Sequence, residues 1–194
     1  ALGGVPSTAG VLVDTNAPTM LSLSPMPEAT GVASAASLVM TFSEDIALGS
    51  GNISLRNAAG DALIASIDVA AAGGQLSVAN NQLTIDPAVD LPEAATVYVQ
   101  VANGAITDLA TLPYAGIASS LTWRFTTADV TPPTVTAVNV SGSPPANAEA
   151  VQFTVVFDEV PANISVSDFT LTPSGAGVSG SIASHSPVNA NTVT

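Results

Sequence analysis

Apolar and polar residues alternate along this chain with a period of two. Leu38-Val-Met40-Thr-Phe42 is an apolar, partly β-branched run bounded by Ser and Glu. Thr96-Val-Tyr98-Val-Gln100-Val101 alternates, which sets Tyr98 and Gln100 on the face opposite the valines. Gln152-Phe-Thr-Val-Val-Phe157 repeats the first pattern. Period two is the strand signal, because successive side chains leave a strand on opposite faces. Fourteen prolines and fifteen glycines interrupt the chain too often for long helices. Short strands with turn signals every ~8–12 residues predict a β-sandwich. The expected strands are 19–24, 37–43, 52–57, 62–69, 82–86, 96–102 and 121–127, then 135–141, 151–157, 168–172 and 178–184, with another beginning at 191. Asn80-Asn81 and Asn103-Gly104 are the expected tight turns, and a long loop is expected over 105–120.

The pattern also repeats at long range. Asp14-Thr-Asn-Ala-Pro18-Thr19 is matched by Asp129-Val-Thr-Pro-Pro133-Thr134, and Phe42-Ser-Glu44 by Phe157-Asp-Glu159. Both pairs stand 115 residues apart. Two motifs at one offset indicate an internal repeat. The expected organisation is therefore the last strand and linker of a preceding repeat over 1–16, a complete sandwich over 17–127, a linker over 128–131 and a partial second sandwich over 132–194. The run Gly10-Val-Leu-Val13 is the expected final strand of that preceding repeat. Residues 1–13 are also a candidate to donate a strand to the incomplete second sandwich. Expected large core residues of the first are Phe42, Tyr98, Trp123 and Phe125, with Leu38, Met40, Val99 and Val101.

The linker Asp-x-x-x-Pro-Thr, Ser24-Pro25 and Thr41-Phe-Ser-Glu44 together resemble a bacterial Ig-like domain. Leu83-Thr-Ile-Asp-Pro87, Ala105-Ile-Thr-Asp108 and Trp123-Arg-Phe125-Thr-Thr127 extend the resemblance. One departure is visible: the family often follows its aspartate with Ala-Gly-Asn, whereas Asp108-Leu-Ala110-Thr111 lacks the Gly-Asn pair. The resemblance implies tandem antiparallel β-sandwiches of the kind found in large surface adhesins and S-layer-type proteins. It implies a spacer role outside the cell, at the bacterial surface or secreted. Its partners would be neighbouring Ig-like repeats of the same chain, with any glycan or protein ligand bound elsewhere in the parent protein.

Composition narrows the chemistry. Fifteen carboxylates face two arginines, Arg56 and Arg124, and the formal net charge is −13. Two cations cannot form a phosphate-neutralising patch, so nucleic-acid binding is not expected. No apolar run approaches the ~18 residues of a membrane span. Cysteine is absent, which removes disulfides, thiolate nucleophiles and cysteine metal sites. The single histidine, His185, lies in a polar Ser-His-Ser stretch with no Gly-x-Ser-x-Gly elbow, so no serine hydrolase is expected. Glu44 and Asp45 are adjacent, and on a strand they would face opposite ways rather than flank a substrate. No enzyme is expected.

The carboxylates need partners other than cationic side chains. In a sandwich whose strands alternate in direction, the N-terminal linker, the loop after 37–43 and the loop after 96–102 share one end. That end collects Asp14, Glu44, Asp45 and Asp108, and Asp129, Asp158 and Glu159 repeat its first part at the entrance to the second sandwich; of these Asp14, Glu44, Asp108, Asp129 and Glu159 are the expected ligands. Hard oxygen ligands suit Ca²⁺, which takes six to eight oxygens at roughly 2.3–2.6 Å in irregular geometry. Calcium at these five residues would rigidify the domain junctions. The plainer alternative is a turn-forming aspartate and a solvated glutamate. A ligand-binding module is the competing reading, through the long loop carrying Tyr114 and the Ala/Gly-rich 70–80 segment.

Overall fold

The computed structural model describes residues 14–141, 150–172 and 179–194. Gly10–Val13, the strand-donor segment 1–13 and residue 178 lie outside them. Ten strands follow from Asp14 onward: β1 (Met20–Ser24), β2 (Leu38–Phe42), β3 (Ile46–Leu48), β4 (Asn52–Asn57), β5 (Ala62–Asp68), β6 (Leu76–Ala79), β7 (Gln82–Ile85), β8 (Thr96–Val101), β9 (Ile106–Asp108) and β10 (Arg124–Thr126). They form two antiparallel four-stranded sheets, β1-β2-β7-β6 and β10-β8-β4-β5, with β3 and β9 paired separately. The chain divides between Asp129 and Val130 into two units.

The alternation read from sequence sets the core. Leu38, Met40 and Phe42 of β2, Leu83 and Ile85 of β7, Ile53 and Leu55 of β4, and Val97, Val99 and Val101 of β8 are buried in one cluster with Trp123 and Phe125. Each such side chain contributes roughly 1.5–3 kcal/mol by leaving water. Tyr98 is buried as expected, at 7% exposure. It lies outside the central cluster, on the opposite face of β8, where it is cross-strand partner to both Arg56 and Arg124. Its hydroxyl donates to the Asp61 carboxylate, and Arg56 pairs with Asp61 at 3.4 Å. That hydrogen bond, then burial and the Asp61 charge, raise the Tyr98 pKa, while the Arg56 charge opposes the shift. Arg124 pairs with Glu28 at 2.9 Å. Both cations of the chain therefore flank one tyrosine, each beside a carboxylate.

The long loop expected over 105–120 is instead fastened to the sheet. It opens with β9, and Tyr114 N–H donates to the Ile106 carbonyl at 2.9 Å. Val101 and Ile117 exchange N–H···O bonds at 2.9 and 2.8 Å. Gly116 makes this approach possible: at φ +85°, a Cβ there would stand 2.4 Å from the Val101 carbonyl oxygen. The 70–80 segment likewise holds structure, a 3-10 turn at Val69–Ala71 and then edge strand β6. Asn80 turns the chain into β7 at φ 53°, as its tolerance of the left-handed region predicts.

The second unit forms one sheet, β11-β12-β14-β13, from β11 (Val135–Val140), β12 (Phe153–Phe157), β13 (Pro187–Asn189) and β14 (Thr192–Val193). Its order is that of β1-β2-β7-β6, and its bonds match as well. Phe42 N–H donates to the Asn81 carbonyl at 2.8 Å and Asn81 Nδ2 donates back to the Phe42 carbonyl at 2.8 Å. Phe157 and Asn191 make the same exchange at 2.9 and 3.0 Å. Ser43 N–H donates to the Thr19 carbonyl at 2.9 Å, and Asp158 N–H to that of Thr134 at 3.0 Å. Two expected strands are not formed. Residues 168–172 contain no strand, because Ser165 and Asp168 cap each other across a 3-10 turn at Val166–Asp168. Residues 179–184 are irregular.

Candidate metal centre

Three segments converge at one end of the first unit. The chain enters at Asp14, whose Oδ1 accepts the Asn16 N–H at 3.0 Å and so bends the linker. Glu44 follows β2 by two residues, beyond the Ser43 hydroxyl that accepts the Thr19 N–H at 3.0 Å. Asp108 ends β9. One carboxylate oxygen from each of Asp14, Glu44 and Asp108 lies within 4.8 Å of the others. Among the described residues no other group of three potential metal ligands lies this close. Asp129 and Glu159, the other two expected ligands, are not part of this cluster.

Asp108 is the informative member. It is 1% exposed, although carboxylates are among the side chains least often buried. Its Oδ1 accepts the Leu112 N–H at 2.7 Å, and its Oδ2 is buried without a hydrogen-bond partner. A buried carboxylate oxygen left unpaired is costly, and a cation is one way to compensate it. The three acids also act on one another. Partial burial, then the Asp14 and Asp108 charges, raise the Glu44 pKa. A ligand set of three carboxylates with open positions fits a hard divalent cation such as Ca²⁺.

The raised Glu44 pKa fixes a pH dependence. The folded state keeps this proton to higher pH than the unfolded chain, so its stabilising contribution is full below the unfolded value and is lost as pH rises through the folded one. In chelator, this group should therefore make the first unit lose stability as pH climbs above the ordinary glutamate range. A cation would compete with the same proton, so its stabilising effect should shrink as pH falls from about 7 to 4. Melts across that range with and without calcium check both signs.

The turn holding Asp108 carries strain. Thr111 sits at φ 69°, where a β-branched residue is a genuine outlier. Its N–H donates to the Asp108 carbonyl at 3.3 Å while Asp108 N–H donates to that of Leu112 at 3.1 Å. This is the place where the sequence departs from the family's glycine-bearing pattern, and the backbone keeps a left-handed residue there regardless. Non-glycine residues in this region cost ~1–3 kcal/mol, against ~0.5–1 kcal/mol for the added freedom of glycine when unfolded. Thr111→Gly should thus stabilise by roughly 0.5–1 kcal/mol in urea denaturation. A loss of stability would mean the threonine side chain holds the turn.

Tyr114, expected as part of a ligand surface, is 7% exposed and packs edge-to-face on Phe42 at 5.2 Å between ring centroids. Burial raises its pKa. It is a core residue, because the loop carrying it is pinned down on both sides.

Two facing antiparallel sheets with these connections define an Ig-like β-sandwich. The chain belongs to the bacterial Ig-like domain family, whose profile matches residues 14–127, more than half its length. The match opens at Asp14, which places this linker aspartate inside the domain. No curated protein shows significant similarity to the chain. Domains of this family are generally non-enzymatic structural modules of extracellular or surface proteins. Among the described residues, no helix is long and apolar enough to cross a membrane.

Proposed function

We propose that the chain is a non-catalytic spacer from a bacterial cell-surface or secreted adhesin, in which Ca²⁺ at Asp14, Glu44 and Asp108 ties the incoming linker to its sandwich. The observation that carries this reading is the convergence of three carboxylates from three separate segments, one of them buried with an orphaned oxygen. Asp14 belongs to the linker, so an ion held there restrains the chain where one repeat would follow another. The second unit supports the tandem reading. It reproduces the sheet order and the Asn–Phe amide exchange of the first, and Asp129 and Glu159 occupy the sequence positions of Asp14 and Glu44. We read it as a second repeat of the same kind. A strongly acidic surface suits a module displayed in water, since high net charge favours solubility and opposes self-association.

Amide hydrogen exchange across 14–17 in calcium and in chelator tests the linker role. Slower exchange in calcium is expected there as well as in core β2, whose amides open only with the whole domain. Equal exchange in both at saturating calcium would remove the linker from the site.

A further inference from the structure

We propose that the ion-loaded site also takes a neutral ligand bearing vicinal hydroxyls, such as a pyranose, as direct ligands of the cation. This rests on the cation reading above. The protein leaves the coordination shell incomplete. Asp14 and Asp108 each commit one oxygen to a backbone N–H, Asn16 and Leu112, which favours one remaining oxygen apiece for an ion. With Glu44 the chain offers three or four ligand atoms, against the roughly six to eight that calcium takes.

The cluster adjoins an open depression of about 600 Å³, whose lining includes Asp14 and Glu44 together with Thr15, Asn16, Thr19 and Ser43. The depression is shallow and open, so it holds one edge of a ligand rather than enclosing it. Its polar lining offers hydroxyl and amide groups rather than a flat ring. Charge selects the class of ligand. Three carboxylates outweigh one divalent ion, on a chain of formal net charge −13, so an anion is repelled. A vicinal diol brings two uncharged oxygens close enough to enter one coordination shell, and its other hydroxyls can meet Asn16 and Ser43. Without an aromatic platform the binding is weak, at the millimolar level.

Calorimetric titration with calcium comes first, on the full chain. Saturation-transfer NMR then follows methyl α-mannopyranoside, with tetrahydropyran-2-methanol as a ring lacking the diol. The expected result is a sugar signal in millimolar calcium, no signal from the control ring, and loss of the sugar signal in chelator and in Asp108→Asn. Calcium binding without any sugar signal would overturn this inference and leave the cation reading standing. A sugar signal that survives chelation would overturn it too, by placing the sugar elsewhere. Absence of calcium binding would overturn both.

Discussion

In millimolar calcium the first unit should melt about 10 °C above its melting point in chelator, and Asp108→Asn should lose that shift, so that the order of stability of the two proteins reverses with the ion. An ion bound only to the folded state adds RT ln(1 + [L]/Kd), which is ~2.7 kcal/mol at a hundredfold excess over Kd. For a domain of this size each kcal/mol moves the melting point by roughly 3–6 °C. The asparagine variant keeps a carbonyl oxygen for the Leu112 N–H and removes the charge beside Asp14 and Glu44. In chelator the variant is relieved of a buried, unpaired carboxylate oxygen and of like-charge repulsion, so it should be the more stable protein, by about 1 kcal/mol. In calcium it lacks a ligand and should be the less stable. The two proteins thus exchange rank with the ion, which no general salt effect produces when ionic strength is fixed. If wild type ignores calcium, the cluster is a solvated acidic end, and the Asp108 oxygen is a cost that the fold carries for another reason.

Much of this end is legible in the sequence, for a topological reason. Strands alternate in direction, so the linker before β1, the turn after β2 and the loop after β8 must emerge together, and their carboxylates are brought together with them. Burial is not legible. Nothing in Ile106-Thr-Asp108 distinguishes a three-residue strand from a loop, because period two needs more residues than that to be read. Asp108 is therefore recognisable as acidic but not as enclosed, and Tyr114 is misplaced by the same blindness to how its loop is pinned. Tyr98 meets both signals: its aromatic size argues for burial and its place in the alternation for the outer face, and it is buried on that face between its cross-strand partners Arg56 and Arg124. The second unit marks a further limit. Asp168-Phe-Thr-Leu171 copies the strand sequence Asn52-Ile-Ser-Leu55, yet β4 is a strand because β5 and β8 bond to it on both sides. No counterpart of β8 is among the described residues, and local capping by Ser165 and Asp168 decides the conformation instead.

Trp123→Ala should be the most damaging substitution in the first unit, costing about 4–5 kcal/mol. Trp123 is fully buried and belongs to the same cluster as β2, β4, β7 and β8. Its truncation opens the largest cavity the core can suffer, and large-to-small aromatic changes cost ~3–5 kcal/mol. A polar loss adds to this. The indole Nε1–H donates to the Pro25 carbonyl at 2.9 Å, joining the bend immediately before β10 to the segment following β1. Trp123→Phe separates the two contributions. It retains most of the apolar volume but leaves Pro25 without its donor, so roughly 2–3 kcal/mol should be lost. Since this is the only tryptophan, its emission reports wild-type unfolding directly, starting from the blue-shifted position of a buried indole. The variants are followed by circular dichroism under the same denaturant. Phenylalanine as costly as alanine would mean that the bond to Pro25, rather than cavity filling, holds this corner of the sandwich. Phenylalanine without cost would mean that volume alone matters. The intermediate result is the one expected from a side chain that fills the core while its ring nitrogen ties down the chain passing over it.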